Sequence, residues 1–330
     1  MKINVRPLVS AAAATVVSIA AIVALPGASQ AQPRAACPSG ELQASSLPKR
    51  IVAGACAVPG RTIRGAKVAA VIPRPGHGVT ANVLSLEGEE TLAIDTALDG
   101  TVTVATTTEP VGTHAAVQDA LPACADDANT LLNYDYFSGG NFYWYYAPAG
   151  VQRSGLSDPD AEAALINGTR HITVGNNDCG FGGQPNVNHT YGGQVGVGPN
   201  INAPENKCTA EDAWSITGWG NATSDVLAST CTWSVFREEP FPHRVVTTSD
   251  MVANYNFVWW NGSGSCPNNG DAYDLEGVTT HERGHTFGLG HPSEGHENLT
   301  MAPRAFRCDT RMRTLGLGDF NGLITLYGYR

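Results

Sequence analysis

The chain has 330 residues, enough for one large domain with a smaller companion or for two ordinary domains. Apolar residues make up 42% of it, which excludes wholesale disorder. Charged residues are only 15% and the formal net charge is −10, a balance that argues against a nucleic-acid partner.

Lys2 and Arg6 precede an apolar run from Leu8 to Leu25, which Pro26 and Gly27 break. Ser29-Gln30-Ala31 then offers small residues for cleavage after Ala31. Residues 1–31 therefore read as a signal peptide, so the mature chain is expected to be secreted, extracellular and without stable membrane association. An uncleaved anchor is the alternative, because the run is near the minimum spanning length, but its Ala and Ser content weakens that reading. All eight cysteines lie beyond this segment, and an even number after export suggests disulfides. None forms a CxxC pair, which disfavours a thiolate zinc site. The expected pairs include Cys37 with Cys56 and Cys266 with Cys308.

Residues 32–110 read as a β-rich N-terminal module or propeptide. VAAVI, TANVLSL, TLAIDTA and TVTVAT are short β-branched runs separated by PRPGHG, EGEE and DG, with Asp99-Gly100 a candidate hairpin turn. TTTEPVGTH resembles a linker. Residues 118–330 form the second, larger domain, and the fold class is α+β. Within it, NFYWYYAP reads as a core strand, with a sugar-stacking platform as the alternative. SDPDAEAALINGTRHI reads as a helix with Asp158 as cap and Pro159 in the first turn. Residues 175–229 read as loops with short strands, and CTWSVF and RVVTTSDMVANYNFVWW as strands. A further helix is expected to start near Asp271 or Asp274.

That helix carries HERGHTFGLGH, residues 281–291. Positions four apart lie on one helical face, so the imidazoles of His281 and His285 can converge on one ion. Glu282 sits one residue round, where it can flank a metal without ligating it and act as general base toward a water. A helix ending at Gly288 needs a residue at positive φ, and the chain can then turn so that His291 supplies a third nitrogen. Three neutral imidazoles leave a fourth position open, the mark of a catalytic zinc (Zn2+) rather than a structural one. Gly277 and Gly284 each cost about 1 kcal/mol relative to Ala in a helix, which points to close backbone packing. His296 lies outside the ligand set and is expected to be an exposed loop residue. Glu238, Glu239, Glu294 and Glu297 are expected to be solvated.

HERGHTFGLGH, with Met301 ten residues after its last histidine, resembles the long zinc signature and Met-turn of the metzincin metallopeptidases. Met301-Ala302-Pro303, YDLEGVTT and LGLGDFNGLITLYG resemble the matrixin branch, the matrix-metalloprotease-like enzymes, in a bacterial secreted form. The resemblance covers about residues 245–330. It implies a twisted mixed sheet with long helices, a zinc-site helix, a Met-turn and a C-terminal helix in which Asp319 is a candidate anchor. It also implies hydrolysis of peptide bonds in a protein or peptide substrate, with Glu282 activating the water at a single zinc ion. The substrate would lie extended along an edge strand, from CTWSVF or GGQVGVGP. Pro292 departs from the matrixin pattern. Cys37 in AACPSG and Cys56 in GACAVPG lack the PRCGxPD context of the matrixin propeptide cysteine and read as disulfide partners. No second His-rich zinc motif or calcium (Ca2+) loop is recognisable. A monomer is expected. The alternatives are a secreted zinc-containing binding or adhesion module without catalysis, and a zinc hydrolase of non-peptide amide or cell-wall bonds.

Overall fold

Segments rich in Val, Ile, Thr and aromatic residues with period-two alternation become strands, because branched and ring side chains pack well on a half-buried pleated surface. The structure, a computed structural model, describes residues 40–51, 59–110, 120–238 and 243–330, all within one compact unit. Residues 1–31, on which the signal-peptide expectation falls, and Cys37, Cys56 and Glu239 lie outside the described residues. The longer strands are β1 (His77–Ser85), β2 (Gly88–Thr96), β3 (Val102–Pro110), β4 (Asn141–Ala147), β5 (Asn188–Gln194), β6 (Ile216–Gly220), β7 (Val226–Arg237) and β8 (His243–Asn254). Among the described residues the α-helices are α1 (Asp158–Val174), α2 (Leu275–Thr286) and α3 (Leu317–Tyr327). The class is mixed α+β, as expected.

One large sheet runs in the order β5-β4-β6-β8-β7-β1-β2-β3, with Arg50–Ile51 beyond β3. The part from β5 to β8 is parallel, and β7 then runs antiparallel to β8. On its other side β7 pairs antiparallel with β1, from Val226 opposite Ser85 to Val235 opposite His77. The N-terminal residues therefore extend the sheet of the C-terminal ones. They also share a second sheet, in which Ala69–Val71 pairs parallel with Lys207–Cys208. The expected hairpin turn is present: Gly100 has φ 81° and the Thr101 N–H donates to Asp99 Oδ1 at 2.8 Å.

Alternation divides the aromatic stretch of β4. Phe142, Trp144 and Tyr146 enter the core, whereas Tyr143 faces outward. On α1, Ala161, Ala164, Leu165, Gly168, Thr169, Ile172 and Thr173 fall three and four apart and form the buried face. Its cap is Ser157, one residue before the expected Asp158, because the Asp160 N–H donates to the Ser157 hydroxyl at 3.2 Å. Gly175, at φ 66°, ends it.

Helix α2 packs against α1 and β7 with every residue from Leu275 to Thr286 buried. Its cap is Asp274, which accepts from the Gly277 N–H at 2.8 Å. A fully buried helix must satisfy its polar side chains internally. Arg283 donates to Thr169 and Thr217 and lies over the rings of Phe142 and Trp144, while Glu276 meets His171 at 2.7 Å. Three disulfides, Cys124–Cys179, Cys208–Cys231 and the expected Cys266–Cys308, tie the chain together. Among the described residues no helix is long and apolar enough to cross a membrane.

Candidate metal centre

The spacing of four on α2 brings His281 and His285 together, with their Nε2 atoms 3.3 Å apart. Gly288, at φ +89°, then ends the helix, and a Cβ there would meet the Tyr134 carbonyl at 2.6 Å. Leu289–Gly290 pairs with Thr130–Leu131, and this returns His291 to the cluster with its Nε2 3.0 Å from that of His285. Nitrogens about 2.0–2.1 Å from one tetrahedral ion stand roughly 3.3 Å apart, so these spacings suit ligands of one ion.

The outer ring nitrogens fix the tautomers. His281 Nδ1 lies 2.8 Å from the Thr300 carbonyl and His285 Nδ1 lies 2.9 Å from the Leu289 carbonyl. A carbonyl only accepts, so Nδ1 carries the proton in both neutral rings and each Nε2 presents a free lone pair inward. This is the state a metal requires.

The fourth member comes from β2. Glu89 Oε2 lies 2.8 Å from His281 Nε2 and 2.7 Å from His291 Nε2, and its Oε1 lies 2.9 Å from His285 Nε2. These four residues are buried, and their ligand atoms all lie within 4.8 Å of one another, an arrangement that can hold a metal ion. Burial raises the Glu89 carboxyl, but the three imidazoles outweigh it and hold the group well below the usual carboxylate range. Burial lowers His281, and Glu89 more than reverses this, pushing it up to about 9. A divalent cation inverts this balance by favouring neutral imidazoles.

Glu282 lies beside the cluster without joining it. Its Oε2 accepts from Thr230 Oγ1 of β7 at 2.5 Å, and its buried Oε1 has no hydrogen-bond partner among the described residues. Burial, and then the Glu89 charge, push its carboxyl up to about 7.

Under the cluster, Met301 packs against α2 at Gly284, where a Cβ would lie 2.1 Å from the Met301 sulfur. The close packing expected at this glycine is therefore present, but against a side chain rather than the expected backbone. Asp319 of α3 holds the methionine turn: its carboxylate accepts from the N–H groups of Thr300, Met301 and Gly316 at 2.8, 3.2 and 3.0 Å. Gly284→Ala is expected to destabilise the chain by about 1–3 kcal/mol, because Met301 is enclosed and overpacking outweighs the gain in helix propensity. A thermal melt checks this; an unchanged or raised Tm would show that the methionine can yield.

Two expectations need correction. His296 stands outside the ligand cluster but is not a free loop residue: its Nδ1 meets the buried Asp126 carboxylate at 2.8 Å. Glu297 is buried rather than solvated, folded into the turn that precedes Met301, whereas Glu238 and Glu294 are exposed. The motif-based reading named His281, His285, His291 and Glu282 and missed Glu89 and Thr230. Strand alternation places Glu90 with the buried Leu92 and Ile94, and Glu89 on the opposite, more polar face. Nothing local distinguishes that position from a solvated one. Comparison with protein-family models and with curated protein sequences finds no match to the chain.

Proposed function

We propose that the chain is a secreted zinc-dependent metalloendopeptidase. The observation that carries this reading is three imidazole Nε2 atoms converging beside Glu282, a fully buried glutamate with one carboxylate oxygen anchored and the other without a partner. Three nitrogen donors fit zinc, which when bound would polarise the scissile carbonyl and acidify the attacking water.

The residues divide the remaining work. His281, His285 and His291 hold the ion, and the Thr300 and Leu289 carbonyls orient two of the rings. Thr230 fixes Glu282 Oε2, so Oε1 takes a proton from the water as the water adds to the carbonyl carbon. Glu282 then gives that proton to the departing amine as the C–N bond breaks, and one water is consumed per bond cleaved. Met301 packs below as a floor without chemistry. β7, the strand of CTWSVF and Thr230, is not the expected edge strand, because it is paired on both sides, with β8 and with β1; an extended substrate would pair with it in place of β1. The mixed sheet, the α2 site helix, the turn at Met301 and the buttress from Asp319 all support membership of the matrixin branch of the metzincins. Three disulfides favour an oxidising, extracellular setting.

Glu89 favours one second reading: a closed site of three histidines and one glutamate, holding zinc in a binding module that does not cleave. Casein zymograms of the full chain before and after limited proteolysis, each with and without phenanthroline, test the two. Clearing that the chelator abolishes and added zinc restores is the expected result. A chain that binds one zinc and never clears casein favours the closed module; turnover of a non-peptide amide alone would point to the other zinc hydrolases.

A further inference from the structure

The site the proposed peptidase needs is blocked by its own chain. Glu89 stands 192 residues before His281 in sequence, yet its carboxylate contacts the Nε2 atoms of all three histidines. It is buried, as they are. Strand β1, which leads into it through the tight turn Leu86–Glu87, occupies the free side of β7 over nearly its whole length. Asn82 of β1 lies opposite Thr230, the residue that anchors Glu282. One hairpin thus fills both the open ligand position and the strand edge along which a substrate backbone would pair.

We infer that the β1–β2 hairpin is a built-in latency device, in which Glu89 is the fourth metal ligand and β1 stands in for substrate. This rests on the metallopeptidase reading above. A carboxylate is a hard oxygen donor that zinc accepts, and its charge offsets part of the ion's own in a site closed to water. Both halves of the block are removable. The three described disulfides join cysteines from Cys124 onward, so none of them ties residues 40–110 to the rest. Hydrolysis of one peptide bond on the N-terminal side of Cys124, which adds one water and yields a new carboxylate and a new amine, leaves the hairpin held by non-covalent contacts: strand pairing, apolar packing and ion pairs such as Asp95 with Arg244. Its departure would free the β7 edge and the fourth position together.

The test uses the full chain loaded with Co2+, whose visible spectrum reports coordination, and acetohydroxamate as the probe of an open position. Glu89→Gln keeps the shape of the side chain, and Glu89→Ala removes it. A tethered ligand competes at an effective concentration of the order of millimolar. The wild-type chain is therefore expected to bind acetohydroxamate roughly 100-fold more weakly than either variant. Its Co2+ spectrum should differ from theirs without the probe. Circular dichroism confirms that each variant is folded, and wild-type protein nicked by limited proteolysis before Cys124 provides an arm that needs no substitution. Equal spectra and equal hydroxamate binding in wild type, variants and nicked protein would overturn the inference. Casein cleavage by the intact wild type at the rate of Glu89→Gln would also overturn it, while leaving the peptidase standing. Hydroxamate binding by the variants with no casein cleavage by any form would do the reverse.

Discussion

Glu282→Gln is expected to lower kcat for casein peptides by about 10²- to 10⁴-fold, the range for loss of a positioned general base. Zinc content should stay at one ion per chain, because Glu282 contacts Thr230 rather than the ligand positions. The measurement is made on whichever form hydrolyses casein, with metal analysis alongside. Full activity in this variant would end the assignment of Glu282. Thr230→Val refines the test. The Thr230 hydroxyl pulls the Glu282 carboxyl down against burial, so its removal raises that group further. A base must be ionised to work, so the acidic limb of the kcat/KM profile should move to higher pH. A variant that lost only stability would keep its pH profile.

The second large effect is on stability. A ligand that binds the folded chain alone stabilises it by about 4 kcal/mol when present at a thousand times its Kd. Chelation should therefore lower the Tm by roughly 10 °C for a unit of this size. The pH dependence has opposite signs with and without metal. Ligation needs unprotonated Nε2 atoms, so stabilisation by zinc should fade as pH drops below about 6.5. In the metal-free chain His281 titrates at about 9, raised by Glu89. That pair contributes stability that is fully present below the unfolded histidine value, about 6.5, and is lost as pH rises through about 9. Melts across this range with and without chelator separate the two slopes. A Tm indifferent to chelator at neutral pH would argue that the cluster holds no metal.

The glycines show how far a local reading extends. Gly284, unfavourable within a helix, pointed to a close neighbour, and the structure supplies Met301. Gly288 pointed to a left-handed helix end, and it has one. Of the two starts open for the site helix, Asp271 and Asp274, the structure selects Asp274, and the expected Cys266–Cys308 bridge is present although spacing alone does not pair cysteines. His296 and Glu297 were misread because a polar stretch gives no sign that Asp126, 170 residues earlier, lies against it.

The sequence by itself determined the three histidines and the neighbouring glutamate, because helical periodicity and a glycine turn are local rules that act within eleven residues. It also determined the strands, through their branched residues and alternation. Only the tertiary structure decided which strand lies beside which. The packing of β7 against α2 puts Thr230 on Glu282, and the pairing of β1 with β7 carries Glu89 into the imidazole cluster. Strand register is set by contacts between segments far apart in sequence, and alternation says which face a residue takes but not what that face meets. That is why the ligands on the helix could be read from the chain and the carboxylate that closes them off could not.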